Sequence, residues 1–188
     1  MLTTSHAILN ATVFHKKDID LLPIILGAIL PDIPLIIYLF LLRTLPFIMV
    51  KINTELSVFH LSWSYGIYLF HSFPILLSLL LMTKILKKKM MFIFFSSMTF
   101  HSLCDFFTHN SDANRHFLPF SYYRFRSPIS SWEPNHFGTI FIVVELVVLL
   151  FCSYHLFKRV TSPQAKAMVI LMPILHAMGL LFFRTVIL

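Results

Sequence analysis

Charged residues are scarce in this chain of 188 residues, at 12%, and glycine is scarcer still, with four residues. An ordinary soluble domain carries about 25% charged residues. Apolar residues make up 57% of the sequence, and phenylalanine alone occurs 21 times. This balance excludes a disordered chain, a collagen-like chain and an ordinary soluble domain. It predicts a single integral membrane domain, residues 1–188.

Acidic residues and cysteines are also few. Eight Asp and Glu stand against 15 Lys and Arg, which gives a formal net charge of +7. In a soluble protein such an excess would suggest nucleic acid, but here the lysines lie in short connections between apolar segments, where they set orientation in a membrane. We therefore expect membrane lipids, and no nucleic acid, among the partners. The two cysteines fall in apolar stretches and are expected to pack as small hydrophobes.

Long apolar runs predict an all-α fold, a polytopic membrane helix bundle with about five transmembrane helices. A hydrocarbon core about 30 Å thick requires roughly 20 apolar residues per helix. The segments that meet this requirement are residues 21–42, 56–83, 90–108, 138–157 and 166–187. The second contains Pro74, so it forms either one kinked helix or two short ones. Residues 3–15 are compatible with a further, short amphipathic helix.

Basic residues between the apolar segments predict their orientation. They are Lys84, Lys87, Lys88 and Lys89 after the second segment, and Lys158, Arg159 and Lys166 between the last two. The excess of Lys and Arg in cytoplasmic loops places both connections in the cytoplasm. Residues 109–137 then lie on the opposite side of the membrane, and with five spans the N-terminus lies in the cytoplasm.

The connection 109–137 is long and rich in His, Arg and aromatic residues. Loops of this length are usually functional or disordered, and the aromatic side chains favour an ordered His/Arg-rich loop at the membrane interface. If the stretch is extended, Arg124 and Arg126 lie on one face. Their guanidinium groups match phosphate or carboxylate, so they are candidates for an anion clamp. Contact with lipid headgroups is the alternative.

The clearest cluster of ionisable residues is the stretch H-S-L-C-D-F-F-T-H. His101, Asp105 and His109 are spaced i, i+4, i+8, which puts them on one face of an α-helix. Imidazole nitrogen and carboxylate oxygen are ligands that zinc accepts, and Asp112 and His116 repeat the i, i+4 spacing. The pattern predicts a divalent-metal site. The alternative is a structural pair of His101 and Asp105 that holds helices together.

Two further acids lie inside apolar segments. Asp32 is flanked by Pro31 and Pro34, which break the helix around its carboxylate. Such breaks occur at membrane depth only where they line protein or a water-filled cavity, so Asp32 is expected to face an internal polar site; a simple kink is the alternative. Glu145 is either a partner to a ligating histidine or a packed, neutral acid.

Several short motifs point to a known group. T-S-H-A near the start is followed by G-A-I-L-P-D, F-H-S-F-P, H-S-L-C-D and L-P-F-S. Together they resemble the YdjM-like inner-membrane proteins, which are regarded as metal-dependent hydrolases. The stretch from D-A-N-R-H to N-H-F-G looks like a subgroup of small bacterial membrane proteins sometimes labelled as cobalamin biosynthesis proteins. The group is in turn similar to zinc-dependent phospholipase C, which uses an early His, an Asp after a Pro, and an H-x-x-x-D helix.

The resemblance implies a ligand set and a location. It implies four metal ligands, His6, Asp32, His101 and Asp105. It also implies that three further residues lie close to them, namely His71, Asp112 and His116. The chain departs from the group's pattern at Asn114, where a histidine is expected. Spacing and resemblance together give His6, Asp32, His71, His101, Asp105, His109 and His116 as candidate ligands. The implied location is a bacterial inner membrane.

These observations predict a membrane-bound, metal-dependent hydrolase that acts on a phosphoester or lipid-like substrate, with zinc as the expected metal. Asp112 or Glu133 would act as general base. Arg124, Arg126 and His136 would bind the anionic part of the substrate.

A non-enzymatic transporter or scaffold that uses the intramembrane His/Asp cluster is the alternative function. A hydrolase gathers its ligands in one pocket. A transporter spreads them along a path, which Glu145 and His176 would continue, and a scaffold requires no metal.

The predicted orientation conflicts with the predicted ligand set. Five spans place His6 on the cytoplasmic side and His109 on the outer side. A shared site therefore requires that one of them enters the bilayer or that the span count differs.

Overall fold

The computed structural model describes residues 1–16, 19–44 and 57–187, and the regular secondary structure in these ranges is helical. The helices are α1 Thr3–Phe14, α2 Leu21–Ile29, α3 Ile33–Thr44, α4 Ser57–Phe70, α5 Phe73–Ile85, α6 Lys89–Thr108, α7 Gly138–Arg159 and α8 Pro163–Ile187. Short 3-10 turns occupy Leu30–Asp32 and Pro134–His136. The predicted all-α fold is confirmed.

Four helical segments are long and apolar enough to cross a membrane, and a bent pair adds a fifth. The four are Leu21–Tyr38, Lys89–Thr108, Gly138–Arg159 and Pro163–Leu181. The bent pair joins α4 to α5 at an angle of 47°. Pro74 lies in the first turn of α5, where its missing N–H has no helical partner to lose. The predicted segment 56–83 is therefore two helices, although residue 56 lies outside the described residues.

α1 lies inside the bundle. It contacts α2, α6, α7 and α8, and its buried residues are Ser5, His6, Ala7, Ile8, Asn10 and Ala11. Asn10 Nδ2 donates to the carbonyl oxygen of Ser97 at 2.7 Å, and His6 Nε2 lies 2.9 Å from Asp105 Oδ1. α1 therefore runs antiparallel to α6, with His6 and Asn10 directed at α6 rather than at water.

α2 runs parallel to α6 and packs tightly against it. Ser97 Oγ donates to the carbonyl oxygen of Ile24 at 2.6 Å, and His101 Nδ1 donates to that of Ala28 at 2.7 Å. A Cβ at Gly27 would overlap the carbonyl oxygen of Phe94. Only glycine therefore permits this approach, which carries the following 3-10 turn to the side of α6.

The N-terminus lies at the end of the bundle that carries the loop 109–137. The nitrogen of Met1 is 3.4 Å from Asp105 Oδ1 and 3.1 Å from His109 Nε2. The prediction that the N-terminus lies at the end with the basic connections is therefore wrong for Met1, although α1 ends beside Arg159, whose Nη1 donates to the carbonyl oxygen of Thr12 at 3.1 Å. Because α1 enters the bundle from the loop end, His6 and His109 reach the same carboxylate and the conflict disappears.

The loop 109–137 is ordered by hydrogen bonds back to the end of α6. The backbone nitrogen of Ser127 donates to the carbonyl oxygen of His109 at 3.0 Å, and that of Ser131 donates to Thr108 at 2.8 Å. The Phe125 ring stacks on Phe106 of α6, with 4.5 Å between centroids. The expectation of an ordered loop is met, and the loop covers the end of the bundle where the site lies.

Candidate metal centre

Four ionisable side chains from three parts of the chain converge at the loop end of α6. Asp32 comes from the 3-10 turn, His71 from the break between α4 and α5, and His101 and Asp105 from α6. One ligand atom of each lies within 4.8 Å of those of the others. We call these four residues the His/Asp cluster; it is the group among the described residues that could hold a metal ion.

The distances within the cluster fit a single ion. His101 Nε2 lies 3.2 Å from Asp105 Oδ2 and 3.4 Å from Asp32 Oδ1, and His71 Nε2 lies 3.3 Å from Asp105 Oδ2. Two ligand atoms about 2.1 Å from a metal ion at tetrahedral angles are about 3.4 Å apart. These three pairs of atoms are therefore spaced as ligands of one ion, and the remaining pairs lie within 4.8 Å of each other.

Backbone carbonyls fix the two histidine rings of the cluster. His101 Nδ1 donates to the carbonyl oxygen of Ala28 at 2.7 Å, and His71 Nδ1 donates to that of Ile67 at 2.8 Å. Because a carbonyl oxygen only accepts, each neutral ring carries its proton on Nδ1 and a lone pair on Nε2. Both Nε2 atoms are buried and have no hydrogen-bond partner.

A buried lone pair that faces a carboxylate is unfavourable unless a cation lies between them. The alternative in which His101 and Asp105 form a structural hydrogen bond would require the proton on Nε2. Because Nδ1 already donates to the Ala28 carbonyl, this hydrogen bond requires a second proton on the ring and hence a charged imidazolium. With neutral rings the His/Asp cluster could therefore hold a metal ion, whereas a charged His101 would form a pair with Asp105 that joins helices.

α1 holds the second oxygen of each carboxylate. His6 Nε2 donates to Asp105 Oδ1 at 2.9 Å, and Thr3 Oγ1 donates to Asp32 Oδ2 at 2.6 Å. The His6 ring also stacks on His101, with 3.8 Å between centroids. In this arrangement His6, a predicted ligand, orients Asp105 from outside the cluster. Thr3 was not predicted from the sequence, although its i, i+3 spacing to His6 places both on one helix face.

His109 joins Asp105 to the loop. Its Nε2 lies 3.2 Å from Asp105 Oδ1, and its Nδ1 donates to Asp112 Oδ2 at 2.6 Å. Trp132 Nε1 also donates to Asp112 Oδ2, at 3.0 Å. Burial would raise the pKa of the Asp112 carboxyl, but the hydrogen bonds from His109 and Trp132 lower it below its usual value. Asp112 thus positions His109.

Glu133, the other predicted general base, forms hydrogen bonds within the loop 109–137. Its Oε1 accepts from both the nitrogen and the hydroxyl of Ser111 at 3.0 Å, and from Ser130 Oγ at 3.2 Å. These contacts hold two distant parts of the loop side by side. The structure thus gives both predicted bases partners outside the His/Asp cluster.

His116 lies behind His71 rather than in the cluster. Its ring is 6.2 Å from that of His71 and stacks on Phe73, at 5.1 Å between centroids. Its Nδ1 donates to the carbonyl oxygen of Asn114 at 3.1 Å, and its Nε2 is buried without a partner. Burial lowers the pKa of His116 to about 4, so the ring is neutral near pH 7.

The structure does not pair the predicted anion-binding residues with each other. Arg124 is half-buried and its guanidinium lies over the ring of Tyr68, whereas Arg126 is exposed. The second guanidinium over Tyr68 belongs to Arg115. His136 lies in the short turn before α7, partly exposed.

Glu145 and His176 bind the start of α1. Glu145 Oε1 accepts from the backbone nitrogen of Leu2 at 2.9 Å, which satisfies a free N–H before the first helical turn. His176 Nδ1 lies 3.1 Å from the hydroxyl oxygens of both Thr4 and Ser5. These contacts anchor α1 to α7 and α8, so the two residues act on the site through α1.

Comparison with protein-family models, curated proteins and solved structures gives no match to this chain.

Proposed function

We propose that the protein is a membrane-embedded, metal-dependent hydrolase. Asp32, His71, His101 and Asp105 would hold the ion, with zinc as the first candidate because two imidazoles and two carboxylates suit it. The observation that supports this most is the pair of buried, unpartnered Nε2 atoms that face two carboxylates at 3.2–3.4 Å.

A bound divalent ion supplies a Lewis acid and a water of lowered pKa. The side chains around it would arrange the reaction. His6 and Thr3 fix the carboxylates, and the loop excludes bulk water from the end of the bundle. The Asp32 side chain is 13% exposed, whereas those of the other three cluster residues are at most 4% exposed. Water and substrate would therefore enter beside Asp32.

The position of the cluster supports a phosphoester with a lipid-like part as substrate. The cluster lies within membrane-type helices, close to the end of α6 from which the loop emerges. An amphiphilic molecule could place its apolar part along the apolar helices and its anionic group at the cluster. A bacterial inner membrane and the YdjM-like group remain the location and family that we propose.

The first test is the metal content of the full chain, purified in detergent and incubated with zinc. We expect about one ion per chain in the wild type, no ion in the double variant His101→Ala/Asp105→Ala, and a full complement in the control His155→Ala. His155 lies on α7, with its ring against Phe151, outside the cluster.

The second test is hydrolysis of a panel of phosphoesters by the zinc-loaded protein. We expect turnover that is lost in His101→Ala and in Asp105→Ala while the thermal midpoint shows that both variants are folded. A wild type that binds no zinc, manganese or iron would overturn the proposal and favour a scaffold. Equal turnover in wild type and both variants would overturn it as well.

A further inference from the structure

Two arginines share one tyrosine ring beside the His/Asp cluster. The guanidinium carbon of Arg115 lies 5.3 Å from the centroid of the Tyr68 ring, and that of Arg124 lies 5.2 Å from it. Arg124 also donates to the Tyr68 hydroxyl, and Arg115 lies 5.1 Å from the centroid of Tyr122. The tyrosines hold both cations in place through their ring faces. We call Tyr68, Arg115 and Arg124 the arginine site.

The arginine site has positive charge without a counterion. In the described ranges neither Arg115 nor Arg124 forms an ion pair with a carboxylate. The Nε atoms of both are buried and have no hydrogen-bond partner. Two neighbouring cations with buried, unused donors favour an anion. A guanidinium fork matches the oxygens of a phosphate in particular.

The arginine site and the His/Asp cluster are neighbours. The carbonyl oxygen of Tyr68 accepts from the backbone nitrogen of His71, a cluster residue, at 3.2 Å. Arg115 directly precedes His116, whose ring is 6.2 Å from that of His71. Tyr68 and His71 are three residues apart, so the backbone positions that carry the two sites lie about one helical turn, roughly 5 Å, from each other. One small molecule with two adjacent anionic groups could occupy both.

We propose that Tyr68, Arg115 and Arg124 bind a phosphate and that the substrate is a diphosphate, with its second phosphate at the His/Asp cluster. This inference rests on the proposed hydrolase function. The oxygen of water forms a bond to the phosphorus at the cluster, and the bond from that phosphorus to the bridging oxygen breaks. The electron pair stays with the bridging oxygen, and the phosphate that leaves is held by the arginines.

The reaction balances without a further reactant. One diphosphate and one water give two phosphates, and the proton that the attacking water loses passes to the leaving phosphate or to the medium. The negative charge grows on the bridging oxygen as its bond breaks, and two fixed guanidinium groups stabilise this charge more in the transition state than in the substrate. The arginine site would therefore act on the leaving phosphate.

Binding is tested by calorimetry on the full chain in detergent, with methylenediphosphonate, whose bridging carbon resists hydrolysis. We expect Arg115→Gln and Arg124→Gln each to weaken binding about tenfold or more, because each removes charged hydrogen bonds to the anion. Zinc content and thermal midpoint should stay at the wild-type level. Binding that is unchanged in both variants would overturn the inference.

The matched control is Lys158→Gln. Lys158 also lies over a tyrosine ring, at 4.2 Å from the centroid of Tyr154, but in the last turn of α7 at the opposite end of the bundle. Its replacement should leave the affinity for methylenediphosphonate unchanged. A loss as large as in the arginine variants would show that binding follows total charge, and would overturn the assignment to the arginine site.

The double variant His101→Ala/Asp105→Ala separates the two proposals. Weak methylenediphosphonate binding that persists in it, and that Arg124→Gln abolishes, would support the arginine site even if the protein held no metal. Turnover of inorganic diphosphate or of a long-chain alkyl diphosphate distinguishes a free from a lipid-linked substrate, and either supports the inference. Turnover of phosphate monoesters alone, unaffected by Arg115→Gln, would overturn it.

Discussion

Replacing Gly27 with alanine is expected to damage the metal centre without changing any of its ligands. The new Cβ would overlap the carbonyl oxygen of Phe94 and lie 2.9 Å from Ser97 Cβ. A backbone oxygen cannot rotate away as a side chain can, so α2 and α6 must move apart. α2 supplies the Ala28 carbonyl that orients His101, and it leads directly into the turn that carries Asp32.

Two opposing effects determine how much stability Gly27→Ala loses. Overpacking of a well-packed contact costs about 1–3 kcal/mol, and here the upper end applies because the overlap is with backbone. Alanine regains about 1 kcal/mol through its higher helix propensity. We expect a net loss of stability of about 1–2 kcal/mol. Zinc affinity should fall about 10- to 100-fold, as for the loss of a contact that orients a metal ligand.

The assay is a zinc titration against a competing fluorescent chelator, together with the thermal midpoint in the same detergent. Gly66→Ala is the matched control, since a Cβ there meets no atom within 4 Å. Gly179→Ala is a second control, because its Cβ would lie at an ordinary 3.6 Å from Leu2. Gly27→Ala with the zinc affinity and thermal midpoint of Gly66→Ala would refute the reasoning.

Three further outcomes are expected. Thr3→Val should weaken zinc binding about tenfold in the same titration, because Asp32 loses the hydroxyl at 2.6 Å; Thr3→Ser should restore it. Acidification from pH 6.5 to about 4 should destabilise the protein, since the unfolded chain protonates His116 where the folded protein keeps it neutral. His116→Phe should remove up to about 3 kcal/mol of this pH dependence in denaturation measurements. Ser72→Ala should lower the free energy of unfolding by about 1–2 kcal/mol and with it the thermal midpoint, because the Ser72 hydroxyl caps α5 and donates to the Leu118 carbonyl at 2.5 Å.

Half of the metal centre follows from one helical stretch. His101 and Asp105 are four residues apart, and the helical period places them on one face whatever surrounds them. Asp32 follows from its flanking prolines, because a broken helix inside a membrane must face a polar interior. These three residues carry local signals that the sequence alone makes visible.

His71 carries no such signal. It enters the cluster because the chain breaks between α4 and α5 and turns by 47° at that point. The apolar pattern is compatible with one kinked helix and with two helices. It therefore does not predict which way the His71 side chain points. Only the resemblance to a known group predicted a place for His71 near the metal.

The sequence pattern pairs Arg124 with the wrong arginine for a similar reason. An extended stretch puts Arg124 and Arg126 on one face by its two-residue period. Arg124 is instead held by Tyr68 on α4, which also holds Arg115. Contacts with a helix that is distant in sequence determine which arginines lie together. The two-residue period of an extended stretch does not predict such contacts.

α1 departs furthest from the prediction, and its sequence explains why. Thr3–Phe14 contains no charged residue, yet it has several polar ones. A helix at the membrane surface would turn these toward water, but three of them meet polar groups of α6 or of the turn before α3. Asn10 meets Ser97, His6 meets Asp105, and Thr3 meets Asp32. Because the same uncharged helix fixes both carboxylates of the His/Asp cluster, α1 is part of the site rather than an anchor beside it.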